Sequence, residues 1–161
     1  MHSMAEMELV IVVAGENAKS LSPLVDAAGG YLVTNPSPER GQFSSLRVGL
    51  QEVLNRGRDA AMVTLVDRPA PNVETIRFLK QEFLDSPPDV WALVPQFDGR
   101  HGHPFNAGRE MIEAFLRADA NATAREVEHA NQHHIRYVDV QDPLVIWNVD
   151  TPEDYQRILR G

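Results

Sequence analysis

Two aspartates stand where apolar runs end. Asp67 closes AAMVTLVD (60–67), and Asp150 follows LVIWNV (144–149). Magnesium is a hard cation usually held by one or two carboxylates plus substrate phosphates, so a carboxylate at the tip of a buried strand suits it. The other reading of Asp67 is a turn aspartate bonding nearby backbone amides. Pro69 ends any ladder just beyond it, which leaves the carboxylate at the tip. Downstream, Thr151-Pro152-Glu153-Asp154 reads as a complete helix start, with Thr151 as N-cap, Pro152 in the first helical position and Asp154 closing a capping box. That accounts for four residues and leaves Asp150 without a structural role. Two strand-tip aspartates could bracket one metal ion.

Four further stretches invite a chemical reading. In NPSPERGQFSSLRVGL (35–50), Gly41 permits close backbone approach, and Ser44 or Ser45 opens a helix whose free amides attract anions. Arg40 and Arg47 add positive charge, although an ordinary loop and cap would look the same. FDGRHGHPFNAG (97–108) holds Arg100, His101 and His103 among three glycines. Its H-x-H pair lacks a third ligand, so a surface loop is the simpler reading. His129 and His133 are four apart, but no glutamate follows His129, and the segment reads as a solvated helix end. VVAGENAKS (12–20) has strand, glycine and possible helix, yet carries neither dinucleotide nor P-loop fingerprint.

The elements that must position these residues alternate. Apolar runs at Leu9–Val13, Tyr31–Thr34, Ala60–Val66, Val90–Val94, Ile135–Val140 and Leu144–Trp147 lack clean alternation, as strands buried on both faces do. Between them, 44–55, 73–84 and 109–118 carry helical apolar faces, for example Met111, Ile112 and Phe115. Ser22-Pro23 before LVDAAGG reads as an N-cap with proline at the first helical position. Strands alternating with helices predict an α/β layer fold with a mostly parallel sheet, one domain over 1–161. The proline-rich loops 35–41 and 67–71 then fall at the carboxyl edge of that sheet, where ligands of open α/β sheets bind.

Composition narrows the functions. A net charge of −8 argues against a nucleic-acid partner, which calls for clustered positive charge. With no cysteine, disulfides, thiolate nucleophiles and zinc–thiolate sites are excluded, and a reducing cytoplasm fits. The run LVIVVAG (9–15), preceded by Glu6 and Glu8, is too short for a membrane helix and has the wrong flank for a signal peptide.

Taken in order, NPSPERGQFSSLRVGL, LVDRP, GRHGHPF and NVDTPEDY resemble nucleotidyltransferases related to molybdenum cofactor cytidylyltransferase and guanylyltransferase, over roughly 8–158. Gly102-His103-Pro104 looks more like the cytidylyltransferase branch. The resemblance implies a three-layer, Rossmann-like fold of the glycosyltransferase A type and magnesium-dependent transfer of CMP or GMP from CTP or GTP onto a molybdopterin-type phosphate. It implies that Asp67 and Asp150 hold the metal and carry catalysis. Asn35, Gly41 and Ser45 then line the substrate site, and Gly102, His103 and Pro104 the acceptor side. The chain departs from the family in two places. Leu9–Val13 aligns with the family's second strand, so the first strand and its glycine-rich triphosphate loop are not matched, and RADANATAR (117–125) replaces a Gly-Asp-x-Gly-Ala pattern. A sheet without that strand leaves edges to be re-paired, which admits a homo-oligomer. The alternative the departures raise is a non-catalytic nucleotide- or partner-binding protein on the same scaffold.

Overall fold

The computed structural model describes residues 8–160. These divide into two compact units, 8–61 with 108–132 and 62–107 with 133–160.

The first unit holds a two-stranded parallel sheet, β1 (Ile11–Ala14) beside β2 (Tyr31–Thr34), in register Ile11 to Tyr31. Among the described residues β1 pairs with β2 alone. Helix α1 (Ala18–Ala27) links them, and α2 (Gln42–Asn55), α4 (Arg109–Arg117) and α5 (Ala124–Ala130) complete the unit. Pro23 lies inside α1 rather than at its start. The helix begins four residues before the expected Ser22 cap, and Ser22 Oγ donates instead to Asp26 one turn on. Helices α2 and α4 make the core, with Leu50, Met111, Ile112 and Phe115 buried as the helical spacing requires, and Arg47 donating to the Leu116 carbonyl at 2.8 Å. Helix α5 opens with the capping box of Thr123 and Glu126.

The second unit is built on β4 (Ala92–Phe97). It pairs in parallel with β7 (Ile135–Asp139), and antiparallel with β6 (Phe105–Gly108) and with β5 (Arg100–His101). The chain enters this sheet through β3 (Ala60–Val63), in the order β3-β6-β4-β5. The fold is therefore mixed α/β, part parallel and part antiparallel. Asp98 and Gly99, at φ 50 and 71, form the two-residue turn between β4 and β5. An Asp-Gly pair suits a type I′ hairpin, whose positive φ values match strand twist. Helix α3 (Val73–Leu84) buries Ile76 and Leu79, and Leu79 joins Leu93, Val138, Val140 and Val145 in the core.

Leu144–Trp147 is not the expected strand. Pro143–Ile146 is a 3-10 turn whose cap is Asp142, accepting from the Leu144 amide at 3.0 Å. An Asx cap followed by proline closes a tight turn and competes with extension, and here it wins over the apolar run. Likewise β3 ends at Val63, so Asp67 lies four residues past the strand, in the connecting turn.

Candidate functional site

The second unit gathers three segments around Asp67. After β3 the chain turns through 65–68, closed by the Arg68 amide donating to the Leu65 carbonyl at 3.1 Å. The Val149 amide donates to the Asp67 carbonyl at 2.7 Å, and Arg68 Nη1 reaches the Trp147 carbonyl at 3.4 Å. These bonds bring Asp150 within one residue of a direct bond to Asp67, 83 positions earlier by number (150 less 67). Asp150 itself is exposed. The expected capping box at the start of α6 (Pro152–Arg160) is formed: Thr151 Oγ1 accepts from the Asp154 amide at 3.1 Å, and the Asp154 carboxylate accepts from the amides of Thr151 and Asp150. The Thr151 hydroxyl, above all, holds the Asp154 carboxyl below its ordinary range.

The third segment is 102–104. The Gly102 amide donates to the Pro95 carbonyl and the His103 amide to the Val145 carbonyl, both at 2.8 Å. A Cβ on Gly102 would run into the Val145 carbonyl oxygen, with the carbonyl carbon only 2.7 Å away, so no other residue fits there. The peptide bond into Pro104 is cis. His103 packs edge-on against Phe105 at 5.8 Å. Its pKa is lowered to about 4, chiefly by burial and then by the Arg68 guanidinium, with Asp67 pulling the other way. His103 is thus neutral near pH 7. His101, by contrast, sits exposed on β5 and stacks on Tyr137 of β7 at 4.1 Å, so the H-x-H spacing does not make a ligand pair.

Three side-chain atoms of this cluster are buried with no hydrogen-bond partner: Asp67 Oδ1, Arg68 Nε and His103 Nδ1. Buried polar atoms are nearly always paired, and an orphan of this kind is accounted for by a ligand, an ion or water. Sequence reasoning singled out Asp67 and His103 and passed over Arg68. It also missed Asp142, which is buried and accepts from the Asn72 amide at 2.8 Å and Thr75 Oγ1 at 2.9 Å besides Leu144. Asp142 ties the start of α3 to the 3-10 turn that supplies the Val145 and Trp147 carbonyls. A lone Asp-Pro in a loop gives no hint of donors some 70 positions away.

In the first unit, Asn35 is buried and forms a hub at the start of α2. Its Nδ2 donates to Ser44 Oγ at 2.8 Å and Ser45 Oγ at 3.0 Å, and its Oδ1 accepts from the Ser37 amide at 2.9 Å. The helix opens at Gln42, earlier than Ser44, with Gly41 at φ 89 as its cap. Asn35, Gly41 and Ser45, expected to share a site, are brought together here.

A family model, the MobA-like NTP transferase domain, matches residues 2–136. The chain belongs to this family. It is accordingly a nucleotidyltransferase acting on a nucleoside triphosphate. Among solved structures, the MobA-like chain is similar to the protein Rv0371c of Mycobacterium tuberculosis, at 23% identity and a TM-score of 0.72 over 99% of this chain and 83% of that one. The manganese complex of the same mycobacterial protein matches at 25% identity and 0.73, covering 99% and 82%. Molybdopterin-guanine dinucleotide biosynthesis protein A of Archaeoglobus fulgidus matches at 17% identity and 0.64, covering 91% and 75%, a likeness of fold. No curated protein matches. Among the described residues no helix is long and apolar enough to cross a membrane.

Proposed function

We propose that the chain transfers CMP from CTP to the phosphate of a molybdopterin-type acceptor in the cytoplasm, with GTP as the alternative donor and magnesium held by Asp67 and Asp150. The observation that carries the metal assignment is Asp67 Oδ1, a carboxylate oxygen shielded from water and met by no protein donor. Such an oxygen fits a hard divalent cation. No group of three or more acidic or histidine side chains that could hold a metal is present among the described residues, so the two aspartates would share the ion with substrate oxygens. A manganese complex of the mycobacterial neighbour supports a divalent ion of this kind. The choice of CTP follows the Gly102-His103-Pro104 sequence and its resemblance to the cytidylyltransferase branch.

When bound, the cation supplies charge neutralisation at the phosphate under attack. The chain's own residues supply position. The Val149 to Asp67 bond fixes the backbone of the two aspartates against each other. Neutral His103 faces the acceptor without adding charge. Within the first unit, taken by itself, the first amides of α2, with Gly41 and Ser45, offer an anion site of their own. Asn35 holds Ser44 and Ser45 in place for it.

The test is transfer from labelled CTP and GTP to molybdopterin cofactor, with magnesium or manganese, by the protein and by Asp67→Asn. Labelled dinucleotide product from the wild type and about a thousandfold less from the variant is the expected result. A folded wild type that releases no pyrophosphate, or a variant as active as its parent, would refute the assignment.

A further inference from the structure

Of the three orphaned atoms, the cation assignment uses only Asp67 Oδ1. Arg68 Nε and His103 Nδ1 remain. The guanidinium is aimed, because Nη1 already reaches the Trp147 carbonyl at 3.4 Å, yet its Nε–H meets nothing. Arginine has donors only, so whatever answers Nε must accept. The His103 ring is fixed as well, by its amide on the Val145 carbonyl and its edge on Phe105, while Nδ1 is left open. All three residues are held by one short segment: the Val149 amide bonds Asp67, the Trp147 carbonyl takes Arg68 Nη1, and the Val145 carbonyl takes the His103 amide. With the proton on Nδ1, the cluster holds two unanswered N–H donors and one full positive charge, next in the chain to the Asp67 carboxylate in the case of Arg68. A phosphate oxygen meets all of these demands at once, since it is anionic, accepts more than one bond and suits the geometry of arginine.

We propose that Arg68, with His103 beside it, is a phosphate seat: one phosphoryl group of a substrate accepts hydrogen bonds from Arg68 Nε and His103 Nδ1 next to Asp67. Only the identity of that substrate rests on the nucleotidyl-transfer reading. It is either the triphosphate of the nucleotide or the phosphate monoester of the acceptor.

Calorimetric titrations without divalent metal test the seat, using inorganic phosphate, CTP and phenyl phosphate as probes on the wild type, Arg68→Gln and Arg68→Lys. The wild type is expected to bind phosphate, and Arg68→Gln to bind it at least tenfold more weakly, with an unchanged thermal midpoint. Arg68→Lys keeps the charge without the Nε donor and recovers part of the affinity. On phosphate binding the His103 imidazole nitrogen resonance shifts in the wild type and not in Arg68→Gln, a readout that a purely structural arginine would not move. A tenfold loss for CTP alone assigns the seat to the nucleotide, and for phenyl phosphate alone to the acceptor. A wild type that binds none of the probes, or folded variants that bind them as well as the parent, overturns the seat. Transfer activity in those same samples would leave the nucleotidyltransferase reading standing. Arg68-dependent phosphate binding with no transfer would sink that reading and leave the seat.

Discussion

The Asn35 hub of the first unit and the Asp67–Arg68–His103 cluster of the second are both made of polar side chains beneath the surface, and they differ in one respect. Every polar atom of the Asn35 side chain is met within the protein, by Ser37, Ser44 and Ser45. In the other cluster each side chain keeps one buried atom unmet. A satisfied hub rigidifies a loop and asks for nothing more, whereas an unsatisfied one costs folding energy and is suited to a ligand. The two regions should therefore respond oppositely to substitution.

The sharpest contrast concerns activity against stability at Asp67. Asp67→Asn removes a buried charge, so its unfolding free energy in urea should stay level or rise while transfer falls about a thousandfold. A loss of stability in proportion to the loss of activity would make Asp67 architectural and erase the difference. Asn35→Ala should do the reverse, costing roughly 2–3 kcal/mol, because it strands the Ser37 amide and frees two hydroxyls from their tether. Urea denaturation measures this, and a cost within error of zero would undo the hub.

The protonation of His103 gives a smaller signal. Its pKa in the folded chain is about 4 against 6.5 for an unperturbed imidazole, so between these values the unfolded chain binds the extra proton. Stability from this group is present above pH 6.5 and is lost as the pH falls toward 4, by roughly 2 kcal/mol once discounted for the part of the ring that touches solvent. Stability curves of the wild type and His103→Asn should diverge over that window, and an NMR titration should place the ring near pH 4. Titration near 6.5 would mean that the ring is solvated and that Arg68 is far from it. Last, Thr151→Ala removes the cap in front of α6 and should cost about 1 kcal/mol by thermal or urea unfolding without altering metal-free phosphate binding. A change in binding would couple the helix start to the cluster after all.

Much of the architecture was legible because local physics decided it. Tyr31–Thr34 and 73–84 fold as the apolar spacing requires, and the Thr151–Asp154 box closes as its residue types demand. The misreadings fall where a local signal was outvoted. The apolar LVIW became a turn because Asp142 and Pro143 cap it, and FNAG, with its glycine, is a fully buried strand that no alternation announces. Pro23 is carried within α1 at its sixth position, past the first turn where a missing N–H would cost nothing. At the site, Asp67 and His103 stood out by type and position. Arg68 did not, because an arginine after an aspartate is ordinary until tertiary structure buries its Nε, and Asp142 did not, because its donors lie far away in the chain.

Gly102 and the Val145 carbonyl share a gap too narrow for a methyl group, and this sets how the region can change. The hairpin return and the turn preceding α6 are interlocked like tongue and groove, so neither can be lengthened, recoded or swung aside without the other following. New substrate preferences in this scaffold would have to arise from the side chains that flank the joint, at 103 and 147, since Gly102 itself admits no side chain.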